Sequence, residues 1–341
     1  MKQWKWITLL GLFLITSISL ICVHPQTVSA SSIRGINANK VAPTGDHNIG
    51  YPQISIRTNR TPERTNLDEI VQRADDAAAQ FPIEEQEQRA QAVFAELTSY
   101  FGSGSLGHAW IIIFNSDQPG DYTSYGFHDK YGFVKNGTAG DQNDRPNRPF
   151  NVSLTVPLEN SEETQSNLEK NVIPNLISQS NMIAMAMGLP TNEISGVYTP
   201  INNCSWFAGN VWNAIKDEQL VFEQEFDGSA HAYNWGMPFL NNVTRIGDPG
   251  MIAESISEKN TAKITLKDVT LHVGDKWNRE LPFVSCIDEH GNSVPWEDGR
   301  ITSNNLNIDT SKPRVYKNIK YTFKGALGDV DSNPITIKVI E

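Results

Sequence analysis

The chain of 341 residues carries 28 Lys and Arg against 39 Asp and Glu, with 39% hydrophobic residues, 20% charged residues and three cysteines. That length suggests about two domains, and the apolar fraction excludes a disordered tail, a collagen-like fibre and a disulfide-stapled mini-protein. The formal charge is −11, or −13 without the first thirty residues, which hold Lys2 and Lys5 and no acid. Nucleic acid is therefore not an expected partner, because its phosphates need Lys and Arg to neutralise them.

Met1–Trp6 holds two lysines, Ile7–Val23 is an unbroken run of apolar and small hydroxyl residues, and Val28-Ser29-Ala30 places small residues before a cleavage point. This is the layout of a secretory signal peptide over residues 1–30, cleaved after Ala30. The alternative is an uncleaved membrane anchor, since the apolar run reaches the lower limit for spanning; Pro25 and the small-residue site close behind it favour cleavage. Cys22 then leaves with the signal, so the mature chain keeps Cys204 and Cys286. No second long apolar segment follows, which predicts no stable membrane insertion after cleavage.

Residues 31–61 are rich in Asn, Pro, Thr and Ser without periodicity and read as a flexible leader. From Pro62 to Phe101 the apolar spacing turns helical, through Leu67, Ile70, Val71 and Ala74, then Ala90, Val93, Phe94 and Leu97, with Pro82 between the two helices. His108–Phe114 is β-branched and aromatic, Asp117-Gln-Pro-Gly120 is a turn signal, and Tyr122–His128 is a second strand, which together predict an antiparallel hairpin. A polar loop over 136–149 is long enough to face a substrate. Val152–Val156 reads as a third strand, and Glu162–Met187 as a helix stopped by Gly188 and Pro190. Asn203-Cys-Ser-Trp-Phe opens another helix. After a linker near Ser255–Ala262, residues 263–341 hold short alternating segments split by Gly and Asn turns, the pattern of a small β-sandwich.

Chemistry centres on Cys204. With Asn202 or Asn203 as N-cap, it sits in the first helical turn, where free N–H groups and the positive end of the dipole would lower a thiol pKa. A turn centred at Gln118 pairs residues equidistant from it and sets His108 opposite His128 on one face of the hairpin. One imidazole then serves as general base and the other as its orienter, with Asp129 taking that place if the register slips. Trp110, Asn203, Trp206 and Trp235 are the candidate substrate-binding or cleft-wall residues. No metal-ligand spacing and no cofactor motif occurs, so none is expected. Cys286 reads as a small buried filler, the rival account being a Cys204–Cys286 disulfide.

Gly107-His-Ala-Trp-Ile111, Tyr125-Gly-Phe127 and Asn202-Asn-Cys-Ser-Trp-Phe-Ala208 together resemble circularly permuted papain-fold hydrolases, NlpC-like proteins whose histidine strands precede the cysteine helix, among them the lecithin retinol acyltransferase-like proteins. The resemblance covers roughly residues 102–215 and implies Cys204 as nucleophile, His108 as base and His128 as the polar third member. Leu271–Trp277, Asp288–Asn292, Asp309–Pro313 and Tyr321-Thr-Phe323 resemble the bacterial immunoglobulin-like repeats of Gram-positive surface proteins, which implies a spacer or wall-associated module. The expected fold is α+β: a permuted papain-like domain of antiparallel sheet plus helices over 62–254, then an all-β immunoglobulin-like sandwich over 263–341. The expected protein is a secreted or cell-wall-associated cysteine hydrolase that cleaves an amide, with cell-wall peptide as substrate. Two alternatives stand beside it: a non-catalytic adhesion protein with a degenerate papain-like domain, and a lipid acyl hydrolase or transferase.

Overall fold

The structure, a computed structural model, describes residues 45–102, 106–138, 140–216, 219–303 and 307–341. The expected signal peptide, Cys22 and most of the expected leader lie outside the described residues. Among the described residues no helix is long and apolar enough to cross a membrane.

The first domain is built on a five-stranded antiparallel sheet with strands β1 (Gln53–Thr58), β2 (Ala109–Phe114), β3 (Tyr122–His128), β4 (Gly132–Lys135) and β5 (Val152–Pro157), in the spatial order β4-β3-β2-β1-β5. β1 corrects the expected leader: this segment forms the strand between β2 and β5, and all six of its residues are buried. Its Ile54 and Ile56 pair with Ile113 and Ile111, and its Arg57 pairs with Trp110. Sequence alternation is present in β1 but its polar members are buried too, because both faces of this sheet are covered.

On one face the sheet packs against four helices. These are α3 (Ser161–Asn167), which continues through a π-helical turn into α4 (Ile173–Ala186), and α5 (Cys204–Ile215) and α7 (Pro249–Ser257). Ile54, Ile56, Ile111, Ile113, Tyr125 and Phe127 meet Leu176, Phe207, Val211, Trp212 and Ile252 there, and this is the main core. The other face carries a smaller cluster of Trp110, Ile112, Phe114 and Phe150. Helices α1 (Leu67–Ala78) and α2 (Gln86–Gly102) form as their periodicity predicts, α1 capped by the Asn66 side chain. They make a satellite core with Trp235, Met237 and Leu240, around the short helix α6 (Ser229–Ala232). A two-stranded ribbon of β6 (Glu223–Glu225) and β7 (Arg245–Gly247) precedes α7, and α7 runs across the expected boundary at residue 254.

The C-terminal module is all β, as its turn spacing predicts. Its strands are β8 (Lys263–Leu266), β9 (Val269–His272), β10 (Phe283–Ile287), β11 (Ile301–Ser303), β12 (Arg314–Ile319), β13 (Tyr321–Gly325), β14 (Gly328–Asp331) and β15 (Ile335–Ile340). They form the sheets β10-β8, β11-β13-β14 and β12-β15-β9 around their own core. Cys286 is 1% exposed inside that core, and both it and Cys204 are free thiols, so the disulfide alternative does not hold.

The module is docked on the first domain. At the β13–β14 turn Ala326 O accepts from Ser153 N at 2.7 Å on the free edge of β5, and Leu327 packs against the main core. Ser257 Oγ donates to Leu327 O at 2.8 Å, and His290 Nε2 lies 2.9 Å from Asp46 Oδ2. A freely tethered spacer would leave that strand edge bare, and unpaired edges invite aggregation. Leu327→Asp, which sets a charge against the first domain's core, should therefore destabilise the whole chain by about 2 kcal/mol. Thermal melting should show that loss in the first domain's transition, and a shift confined to the module's transition would contradict the docking.

Candidate active site

The β2–β3 hairpin has the register predicted from its turn, with Ile111 opposite Tyr125 and Phe114 opposite Tyr122. Continued to the open end, that register brings His108 and His128 together, with ring centroids 4.8 Å apart. The backbone at His108 is fixed from β1's end: its N–H donates to Asn59 Oδ1 at 2.6 Å and its carbonyl accepts from Asn59 N at 3.1 Å. Its ring stacks on Trp110 at 5.4 Å.

The two imidazoles do not orient each other. Both turn Nε2 to the carboxylate of Asp144, which arrives from the polar loop over 136–149: His108 Nε2 lies 2.9 Å from Oδ1 and His128 Nε2 lies 2.8 Å from Oδ2. Arg148 Nη1 donates to the same Oδ1 at 2.8 Å. Asp144 is the residue that sequence reasoning missed. The one signal that pointed to it is Gly126, in mid-strand between Tyr125 and Phe127. A Cβ there would stand 1.9 Å from Asp144 Oδ2, and a glycine inside a strand marks such a close approach. Asp129, the alternative third member, is exposed and bonds to neither histidine.

Burial decides the protonation states. Desolvation pulls the His108 pKa down to about 4, against the pull of Asp144, so the ring is neutral at ordinary pH. The histidines hold the Asp144 carboxyl far below its usual range although burial pushes the other way. A carboxylate that accepts from Nε2–H leaves Nδ1 as the basic nitrogen of His108.

Cys204 starts helix α5 as predicted, behind an Asn203 cap whose Oδ1 accepts from Ser205 N and Trp206 N, each at 3.1 Å. Asn203 Nδ2 donates to Gly247 O at 2.7 Å, so this side chain is spent on structure rather than on substrate. The thiol lies 4.0 Å from Gly107 O and 3.8 Å from the Tyr198 hydroxyl, beside the residue that precedes His108 at the entry to β2. Its expected low pKa is corrected by its environment. Cys204 is 1% exposed, and burial raises the pKa although the Ala109 and Ser205 N–H groups and Tyr198 favour the thiolate. The resting pair is thus a neutral thiol and a neutral imidazole, with no hydrogen bond between them.

The aromatic candidates separate. Trp110 lies in the smaller cluster under His108, with the Arg148 guanidinium 5.2 Å over its ring. Trp206 is in the main core with its edge toward Phe127. Trp235 belongs to the satellite core, where Nε1 donates to Asp75 and the ring stacks on His231, away from the hairpin residues. Among the described residues His108, His128 and Asp144 form the group whose ligand atoms could hold a metal ion, all within 4.8 Å. Arg148 on the carboxylate sets a fixed cation against such an ion, and hydrogen bonds already take Nε2 of both histidines and both carboxylate oxygens.

Residues 264–339 match the bacterial Ig-like domain (group 3) family. The match covers the docked C-terminal module and not the domain that holds the histidines and Cys204. No curated protein matches the chain.

Proposed function

We propose that the first domain is a cysteine hydrolase, secreted and of the permuted papain-like class, that cleaves an amide bond through Cys204. One observation carries the reading: a buried carboxylate, Asp144, fixes the Nε2 side of His108 while Cys204 sits against the adjoining residues Gly107 and Ala109. Base, orienter and nucleophile are the parts that acyl transfer needs. As substrate approaches, His108 Nδ1 takes the Cys204 proton while Sγ bonds to the acyl carbon. The same proton then passes to the leaving amine as the C–N bond breaks, and water hydrolyses the thioester. His128 braces the second oxygen of Asp144. Cell-wall peptide is the proposed substrate, supported by the signal-like N-terminus and the Ig-like module, which would keep the enzyme at the cell surface.

The burial of Cys204 favours a second reading, a non-catalytic surface protein with an inert cysteine. The two differ in assay. Purified cell wall incubated with the protein should release new peptide amine termini, and Cys204→Ala should not. Because His108 must be unprotonated to act as base, kcat/KM should stay level around neutrality and fall only as pH drops through about 4. Release that survives Cys204→Ala overturns the hydrolase reading, and no release from cell wall or from ester and lipid substrates favours the surface protein.

A further inference from the structure

Arg57 is fully buried in β1, on the face of the sheet opposite the main core. Its guanidinium lies between two aromatic rings, 5.4 Å from the centroid of Phe114 and 4.5 Å from that of Phe150. From there Nη1 donates to Pro146 O at 2.8 Å. Pro146 stands two residues after Asp144 and two before Arg148, in a loop whose own backbone bonds are short-range turns such as Asp144 N to Gln142 O and Arg148 N to Arg145 O. The regular supports of the loop, the 3-10 turn Gly140–Gln142 and the bond from Asn136 N to Ser124 O of β3, both come before Asp144, and a cation from β1 reaches up to hold the segment after it.

We infer that Arg57 is a positioning residue, which fixes the Asp144 loop through the Pro146 carbonyl and so holds Asp144 on the Nε2 atoms of His108 and His128. The inference deepens the hydrolase reading and rests on its Asp144–His108 pair. Desolvation lowers the Arg57 pKa to about 9 against the pull of Asp46, which leaves the group charged at neutral pH at a net cost from burial. An apolar residue of similar length would fill the aromatic slot without that cost, so packing alone does not call for an arginine. β1 and the residue that follows it thus serve the site twice, with Arg57 on the loop and Asn59 on the backbone of His108.

The test is nitrogen-15 NMR of the histidine rings in the full chain, beside a thermal melt. In the unsubstituted protein His108 should be the Nε2–H tautomer with a slowly exchanging ring proton. Arg57→Met should keep a cooperative melt while that proton exchanges at least about tenfold faster, and Arg57→Lys, which retains a cationic donor, should recover part of the protection. Arg57→Gln, read in the same way, supplies the test if Arg57→Met does not fold. Wild-type ring exchange in the folded Arg57 variants overturns the positioning role alone, with the Cys204→Ala assay unaffected. A His108 ring found as the Nδ1–H tautomer in the unsubstituted protein overturns the Asp144–His108 pair and this inference with it.

Discussion

Combining Cys204→Ala with His108→Ala is expected to cost no more turnover than either substitution alone, a loss of about four orders of magnitude in each case. The reason lies in the resting protonation states. Burial raises the thiol and lowers the imidazole, so neither group carries charge before substrate arrives, and neither is competent without the other. The thiol needs an acceptor for its proton, and the imidazole has no proton to give the leaving amine until it has taken that one. Groups that act as one unit show strongly non-additive losses. His128→Ala should cost far less, about ten- to a hundredfold, since His108 keeps its own bond to Asp144 Oδ1. Steady-state kinetics on released amine termini check all four proteins. Additive losses from Cys204 and His108, or an effect of His128→Ala as large as theirs, would contradict the assignment.

What was legible in the sequence is what local chemistry fixes. The hairpin register follows from one turn signal and two β-rich runs, because in a tight hairpin the turn sets every later pair. The start of α5 follows from Asn203, whose side chain can satisfy N–H groups two and three residues on. The module's strands follow from turn spacing, and its family match agrees with that reading. What was hidden depends on long-range contact. β1 looked like leader because Gln53, Ser55 and Arg57 are polar, yet each is buried by a partner from elsewhere: Asp46, Thr155 and Pro146. The Cys204 pKa went the wrong way because the helix start is written locally, whereas the 1% exposure of the thiol is decided by Gly107 and Tyr198 packing over it. Asp144 lay in an aperiodic loop where no pattern marks one acid above another, and only the strand glycine that makes room for it betrays the contact.

Asp144→Asn should lower kcat about a thousand- to ten-thousandfold while leaving the fold intact. The carboxylate accepts three hydrogen bonds, from two Nε2 atoms and from Arg148 Nη1. An asparagine in the same place has one acceptor oxygen, and its amide nitrogen must face one of the imidazoles as a donor. That imidazole can bond to it only by moving its own proton to Nδ1. If the ring is His108, Nδ1 is then protonated and cannot take the proton of Cys204; if it is His128, His108 and Arg148 keep the oxygen they already share, and the loss comes from the missing charge. The charge is lost as well, so no anion remains to stabilise the imidazolium formed when the thiol gives up its proton. The side chain's size is unchanged, and the half-turned Arg148, whose side chain is 20% exposed, can reach water when its partner is neutralised. The loss should therefore fall on kcat with KM little changed, the melting temperature should drop because the fold stabilises this carboxylate anion, and Asp144→Glu should do no better because Gly126 leaves no room for a longer side chain against the strand. Turnover within tenfold of the unsubstituted protein in Asp144→Asn would show that Asp144 does not orient His108.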